Sequence, residues 1–382
     1  MIYLDNSATT YPKPLPVIRA VQNAVRFYGF NPGRGGYRQS LQTAQKVYEA
    51  RETVASFFHA PSPESVIFTP GCTQSLNMVI KGVLKRGDHV VISSFEHNAV
   101  YRPLYRLSET GEITSDIADV VIGDDEATIA NFRNAITRRT RLIICTHASN
   151  VIGYRLPTER LCALAHSYGI LFCLDAAQSA GIFPIDMMND GYDFVCCPGH
   201  KYLYGPMGIG LLLIGNDNKV EPLIAGGTGS VSSQPDMPDF YPDRLESGTQ
   251  NIAGILGLKA GVEFVSRHGI GEIYQKESRL TERLYSSLKN SDTLHFIGRE
   301  DKRARSYAPI LAFTIIDSDS ETVAESLSQK YQIAVRGGLH CSPLAHKALQ
   351  TLDQGVVRIS PSVFTSANEV SILQNALRSF GT

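Results

Sequence analysis

The sequence of 382 residues lacks the features that mark several classes of protein. No apolar run reaches the roughly 18 residues that a membrane-spanning helix needs, which argues against a membrane protein. The first residues, MIYLDNSATT, contain no basic stretch followed by an apolar core, so we expect no secretory signal and a cytoplasmic location. The 36 basic and 37 acidic residues nearly cancel, so no excess of charge favours binding to nucleic acid or to a membrane surface.

The cysteines do not form the pattern of a disulfide-rich scaffold. There are seven of them, an odd number, and their spacing is not that of a small secreted domain. Five lie in or beside apolar stretches such as RLIICTHA and DFVCC, where we expect small, buried side chains. Cys341 differs, because it lies among glycines and polar residues in RGGLHCSP.

Strand-like and helix-like stretches alternate along most of the chain. Short apolar runs bounded by turn residues predict strands buried on both faces, at VIFTP (66–70), HVVIS (89–93), RLIIC (141–145), ILFCLD (170–175), FVCC (194–197) and GIGLLLI (208–214). Helical spacing separates several of these runs. The succession predicts an α/β fold in which a mostly parallel sheet is sandwiched by helices.

After about residue 250 the pattern changes to long amphipathic stretches, over residues 252–268 and 271–290, with fewer strands. The length of the chain also suits two domains better than one. We therefore predict a large domain over residues 14–255 and a smaller α+β domain over residues 256–382. Residues 1–13 are expected to pack with the smaller domain.

The strongest local signal surrounds Lys201, in CCPGHKYLYGP. A lysine among small and apolar residues is desolvated, which favours the neutral amine that Schiff-base chemistry needs. Asp175 ends a strand-like run, where a carboxylate points into the ligand crevice of an α/β sheet. Together they suggest pyridoxal 5′-phosphate (PLP), which needs a lysine for its imine and an acid on its ring nitrogen. Alternatively, Lys201 is a solvated loop residue and Asp175 a helix cap.

Other motifs suit the remaining parts of such a cofactor. GCTQSLN (71–77) places Thr73 at a helix N-terminus that can bind a phosphate, and His200 could add a donor. His97 follows one strand and could lie on the ring, or could be structural. Asn150 follows another strand and could reach a ring substituent. GGTGS (226–230) lacks the spacing of a nucleotide-binding motif, so no nucleotide is predicted.

These motifs together resemble a known family. The ordered set EHNAV, ASNVIG, DAAQSAG, GHKYLYGP, RLESGTQN, VRGGLHC and VVRIS resembles the class V group of fold-type I PLP enzymes, and most of all cysteine desulfurases and selenocysteine lyases. The similarity extends from YLDNSATT to the C-terminal region. It implies a large PLP-binding domain, a small C-terminal domain and a homodimer.

The resemblance also implies roles for individual residues. Lys201 would form the imine with PLP, Asp175 would pair with the pyridine nitrogen, and Gln178 would contact the phenolic oxygen. His97 would stack on the ring and move protons, while Cys72, Thr73 and His200 would bind the phosphate. Thr249 would contact the neighbouring subunit's cofactor. Asn150 and Arg358 would bind the substrate carboxylate, Arg34 and Arg336 would line the substrate pocket, and Cys341 would be the sulfur-accepting nucleophile.

The surroundings of Cys341 give this last role an independent basis. A nearby cation favours the thiolate form, and Arg336 lies five residues before it, while the glycines allow close approach to a substrate. The expected reaction converts L-cysteine, or selenocysteine, to L-alanine and leaves a persulfide on Cys341. Because the segment between Arg336 and Cys341 is short, we expect sulfur release to depend on an acceptor protein.

Several alternatives remain open from the sequence. Cys341 could be an ordinary surface thiol, or part of a metal site with His340 and His346, although no fourth ligand is evident. The chain could catalyse another class V reaction, such as transamination, epimerisation or a different carbon–sulfur cleavage, in which Cys341 takes no part. It could also be a scaffold that has kept the fold without the activity.

Overall fold

The fold was analysed in a computed structural model, which describes residues 1–33, 35–215, 218–303 and 306–381. Within these ranges the helices are α1 (Leu15–Phe27), α2 (Arg38–Phe58), α3 (Cys72–Val83), α4 (Asn98–Glu109), α5 (Asp125–Ala135), α6 (Thr158–Ser167), α7 (Met187–Asp190), α8 (Ile252–His268), α9 (Ile270–Leu288), α10 (Ser320–Tyr331), α11 (Pro343–Ala348) and α12 (Ala367–Arg378). The strands are β1 (Ile2–Tyr3), β2 (Val66–Thr69), β3 (His89–Ser93), β4 (Thr114–Ala118), β5 (Thr140–Thr146), β6 (Leu171–Asp175), β7 (Phe194–Pro198), β8 (Gly210–Ile214), β9 (Leu294–Phe296), β10 (Leu311–Ile315), β11 (Ile333–Ala334) and β12 (Val357–Ile359).

The largest sheet has seven strands in the order β2-β8-β7-β6-β5-β3-β4. The pairs β3–β4, β3–β5, β5–β6 and β6–β7 are parallel, whereas β8 runs antiparallel to both of its neighbours. The predicted α/β fold with a mostly parallel central sheet is therefore confirmed, and β8 is the strand that departs from it.

Both faces of this sheet are covered by helices, which explains why its strands are apolar without alternation. On β5, for example, Ile143 belongs to the core under α2, α5, α6 and α8, while Leu142 and Ile144 belong to the core under α3 and α4. Neither face of the central strands is left for polar side chains. Polar groups are instead concentrated where the strands end.

A second core forms in the C-terminal part of the chain. The three-stranded antiparallel sheet β12-β10-β9 packs with α9, α10 and α12 around residues such as Leu284, Phe313 and Leu373. The N-terminal strand β1 pairs in parallel with β11, so the first residues contact this part of the chain. The predicted division near residues 250–260 would fall at or within α8, and this boundary stays a prediction.

Within the described residues, no helix is long and apolar enough to cross a membrane.

Candidate active site

The carboxyl ends of the parallel strands meet at one edge of the large sheet and surround a cavity of about 580 Å³. Its walls come from the segments that follow β2, β3, β5, β6 and β7, the place where open α/β sheets bind ligands. The volume lies within the range of small-molecule sites. Seven of the residues expected at the cofactor line it, together with Lys201: Cys72, Thr73, His97, Asn150, Asp175, Gln178 and His200.

Lys201 and Asp175 lie on the wall of this cavity. Burial lowers the pKa of Lys201 to about 8, and the positive charge of Arg358 adds to the effect. A substantial fraction of the amine is therefore neutral at mildly alkaline pH. Asp175 is buried, which raises the pKa of its carboxyl group, while the Ala177 amide that it accepts at 2.9 Å and the charge of Lys201 oppose the shift.

The first turn of α3 forms another part of the wall. Gly71 precedes the helix, and its carbonyl accepts hydrogen bonds from the amides of Gln74 and Ser75, so the amides of Cys72 and Thr73 have no partner within the helix. A Cβ atom at Gly71 would meet nothing within 4 Å, which shows that the space before the helix is open. His200 lines the same cavity, and its buried Nδ1 atom has no hydrogen-bond partner among the residues that the structure describes.

His97 has a structural role and a free ring nitrogen at the same time. Its Nδ1 accepts the amide of Ala99 at 3.0 Å and so caps α4. The proton of the neutral ring is therefore on Nε2. Burial, followed by the charge of Lys201, lowers the pKa of His97 to about 4. The ring is neutral at physiological pH, and its Nε2–H group is a hydrogen-bond donor.

Asn150 and Arg358 are in direct contact. The Arg358 side chain is 2% exposed, and its Nη1 donates to the carbonyl of Asn150 at 2.9 Å. The amide group of Asn150 is already occupied, because Nδ2 donates to the carbonyl of His340 at 2.7 Å and Oδ1 accepts from Ser342 at 2.6 Å. Asn150 thus joins the cavity wall to the Cys341 segment.

The Cys341 segment, residues 336–342, is short and held in place. Its backbone carbonyl at Cys341 accepts the amide of Asn98, at the start of α4, at 2.8 Å. The thiol of Cys341 is exposed and lies 3.9 Å from Nη2 of Arg336. His340, by contrast, is buried and its pKa is well below the usual range, so Arg336 is the cation beside the thiol.

Four predicted residues within the described ranges do not line this cavity: Arg336, Cys341 and Arg358, whose contacts are given above, and Thr249. Thr249 is exposed and lines a separate cavity of about 270 Å³, which shares Pro70, Gln74 and Leu223 with the first. Arg34 lies outside the described residues. Among the described residues, no cluster of three or more histidine, cysteine or acidic side chains is arranged to hold a metal ion.

The N-terminal residues, for which no site role is predicted from the sequence, contact the segments that carry Gln178 and Lys201. The carbonyl of Ser7 accepts Nε2 of Gln178 at 3.2 Å, and the buried Oε1 of Gln178 has no partner within the described ranges. Thr10 donates to the carbonyl of Lys201 at 3.1 Å. The polar run DNSATT was the signal, but nothing local indicates that it meets residues about 170 to 190 positions away.

Comparison with known proteins agrees with this architecture. Residues 2–373 match the family described as aminotransferase class-V. A probable cysteine desulfurase of Methanothermobacter thermautotrophicus is 35% identical over 98% of this chain and 94% of its own length. A probable cysteine desulfurase of Pyrococcus abyssi is 33% identical over 99% of this chain and 93% of its own length.

Solved structures of cysteine desulfurases are also similar to this chain. The apo structure of a cysteine desulfurase from Thermococcus onnurineus superposes with a TM-score of 0.89 at 31% identity, covering all of this chain and 94% of that one. A cysteine desulfurase from Escherichia coli superposes with a TM-score of 0.86 at 27% identity, covering 99% and 94%. With its fold and its sequence matched over nearly the whole length, the chain belongs to the class V aminotransferase family.

Proposed function

We propose that this protein is a PLP-dependent cysteine desulfurase, which converts L-cysteine to L-alanine and retains the sulfur as a persulfide on Cys341. The observation that carries the proposal is the exposure of one cysteine among the seven, all of which lie in described ranges. Cys341 alone is exposed, and its segment is hydrogen-bonded to Asn98 and to Asn150, which lines the cavity together with Lys201 and Asp175. The matched relatives named as cysteine desulfurases support the same reaction.

The cavity suits PLP. The open helix N-terminus before α3 fits a phosphate, with Thr73 and His200 as further donors. The buried, unpartnered atoms Gln178 Oε1 and His200 Nδ1 each need a polar partner, and a ring cation would favour the ionised form of Asp175. When bound there, PLP would accept the electrons left on the α-carbon of the substrate.

Residues of the chain itself would bind the substrate, move its proton and accept its sulfur. Arg358 would bind the substrate carboxylate and orient the carbon–sulfur bond. The Lys201 amine would move the α-proton, and the Nε2–H group of His97 would donate a hydrogen bond within the site. The thiolate of Cys341 would attack the substrate sulfur, and this carbon–sulfur bond would break. The balance is L-cysteine plus the Cys341 thiol to L-alanine plus the Cys341 persulfide.

The anchoring of the Cys341 segment supports an acceptor protein for the sulfur. Hydrogen bonds from Asn98, from Asn150 and through Ser342 hold both sides of Cys341. A thiol held in this way cannot travel far with its persulfide. We therefore propose that the sulfur is collected at this surface by a partner protein, whereas small thiols discharge it slowly.

We also propose a homodimer in which Thr249 reaches the cofactor of the other subunit. Thr249 is exposed in the single chain, and the cavity it lines adjoins the one proposed for PLP. Helix α1 has one apolar face against α8 and leaves Leu15, Ile18 and Val25 exposed on another. Such a surface is typical of a subunit interface.

The decisive experiment incubates the protein with L-cysteine and measures alanine and the Cys341 peptide by mass spectrometry. We expect alanine in the native protein and one added sulfur atom on that peptide, and neither in Cys341→Ala. Cys162→Ala is a matched control, because Cys162 is buried in α6 outside the cavity. Alanine production that survives Cys341→Ala would favour another class V reaction.

A further inference from the structure

The N-terminal residues 4–10 form a connection between the two sides of the candidate site. On one side the amide of Leu4 donates to Ala334 at 2.9 Å, and its carbonyl accepts the amide of Ser360 at 2.8 Å. On the other side Thr10 reaches the carbonyl of Lys201. Asp5 lies in this segment and forms a β-bridge with Ser360, two residues beyond Arg358.

Asp5 makes an ion pair with Arg358. Its Oδ1 accepts Nη2 of Arg358 at 2.8 Å, and the exposed fraction of the Arg358 side chain is only 2%. A buried guanidinium without an acid would be an uncompensated charge, close to the amine of Lys201. Asp5 is the acidic group that faces Arg358, and it is supplied by a part of the chain that has no other assigned role.

The hydrogen bonds of Arg358 fix the orientation of its guanidinium group and leave some of its N–H donors unused. A guanidinium has five N–H groups in one plane. One on Nη1 goes to the carbonyl of Asn150 and one on Nη2 goes to Asp5, while the buried Nε has no partner among the described residues. With both terminal nitrogens held, the plane of the guanidinium cannot rotate. Recognition of a carboxylate by two parallel hydrogen bonds depends on that plane.

We propose that Asp5 is a positioning residue for substrate recognition. It holds the guanidinium of Arg358 in the orientation in which its N–H groups donate to the carboxylate of the amino acid. This inference rests on the proposed function, since it deepens the role given there to Arg358. Asp5 does not touch the substrate. Its effect is confined to ligands that carry a carboxylate, which separates positioning from a general role in folding.

The test compares two small thiols by calorimetry on the holoenzyme. 3-Mercaptopropionate carries the carboxylate without the amine, and cysteamine carries the amine without the carboxylate. We expect Asp5→Ala to weaken binding of 3-mercaptopropionate about tenfold or more and to change binding of cysteamine less than about twofold. Asp5→Asn keeps an oxygen that accepts from Nη2, so it should restore the affinity for 3-mercaptopropionate to within about threefold of the native value.

Three controls make the result specific. Arg358→Lys shows how much of the 3-mercaptopropionate affinity comes from Arg358. Asp239→Ala removes the acid from a different arginine pair, at Arg244, and should leave both probes unchanged. Should Asp5→Ala fail to fold, Asp5→Glu moves the carboxylate by one methylene group, and we expect the same selective loss.

Equal weakening of both probes, no change in either, or failure of Asp5→Asn to rescue would each overturn the proposal. These measurements do not require turnover. A native protein that makes no alanine from cysteine, yet shows the selective loss, would contradict the proposed function and leave the role of Asp5 standing. If the native protein makes alanine and the Asp5→Ala variant binds both probes as tightly as the native protein does, the proposed function stands and the role of Asp5 is contradicted.

Discussion

Glu277 is a carboxyl group that the fold buries completely, on α9 and outside the candidate cavity. Its Oε1 accepts the hydroxyl of Tyr204 at 2.9 Å, while Oε2 has no hydrogen-bond partner in the part of the chain that the structure describes. Burial raises the pKa of Glu277 from 4.5 to about 8. The folded protein therefore holds a proton at neutral pH that the unfolded chain has released.

This difference predicts how stability depends on pH. As the pH rises from 4.5 to 8, the unfolded chain binds fewer protons at this site than the folded protein, so the free energy of unfolding falls. Glu277→Gln removes the titration. We expect its stability relative to the native protein to increase by about 1–3 kcal/mol between pH 5 and pH 9, measured by urea denaturation.

The control for this prediction is Glu282→Gln on the same helix, where the side chain is 57% exposed. A Glu277→Gln variant with the same relative stability at both pH values would contradict the prediction.

The cysteines show what a residue's surroundings in sequence can and cannot indicate. The five expected in apolar stretches are buried, as predicted. Cys72 carried no such signal, and it lines the cavity with its thiol 3.6 Å from Asp175. Burial, and then the charge of Asp175, raises the pKa of Cys72 well above its usual value, which suits a packing or phosphate-binding position better than that of a nucleophile.

At the scale of elements, the Cys341 segment combines anchoring with an uncommon backbone. His340 and Cys341 both have left-handed backbone angles, with φ of 50° and 58°, which L-residues adopt at a cost of about 1 kcal/mol. The hydrogen bonds from Asn98 to Cys341, from Asn150 to His340 and from Ser342 to Asn150 offset this cost. The position of the thiol thus depends on groups from two other segments, those of Asn98 and Asn150.

Loosening one anchor should make Cys341 more reactive toward small molecules. Ser342→Ala removes the hydrogen bond to Oδ1 of Asn150 and is expected to lower stability by about 1 kcal/mol. We expect faster alkylation of Cys341 by iodoacetamide and faster discharge of its persulfide by dithiothreitol, each by several-fold. Ser371→Ala, on the exposed side of α12, is the control. An unchanged alkylation rate in Ser342→Ala would argue against a restrained loop.

Elements with strong periodicity were predicted closely, and polar or interrupted ones were not. Helix α8 spans the predicted residues 252–268, and β3 spans the predicted 89–93. Helix α4 was not assigned, since Pro103 lies inside it. Strand β4 was not assigned either, because it is an exposed edge strand, TSDIA, and an edge needs no apolar run.

For the whole molecule, the exposed apolar face of α1 predicts how the proposed dimer would respond to an added charge. Val25 is 71% exposed, and we expect Val25→Glu to place an unpaired carboxylate in the subunit interface. The native protein should sediment as a dimer and the variant largely as a monomer. The variant should also lose activity, because Thr249 would no longer reach a neighbouring cofactor.

Ile372→Glu is the control for the dimer, since Ile372 is an exposed apolar residue on α12. It should leave the sedimentation coefficient unchanged. A native protein that sediments as a monomer would contradict the dimer proposal and the role given to Thr249.

The amino-acid sequence by itself determined the fold class, the family and the set of polar residues at the strand ends, because buried strands require unbroken apolar runs and polar groups collect where those runs stop. Only the tertiary structure decided which distant groups meet. It brought Asp5 to Arg358 and Asn150 to the segment of Cys341, and it made His340 a buried neutral ring, leaving Arg336 as the cation beside the thiol. Asp5 and Arg358 are 353 positions apart, and Asn150 and His340 are 190 apart. The choice between His340 and Arg336 depends on burial. No local pattern encodes either property.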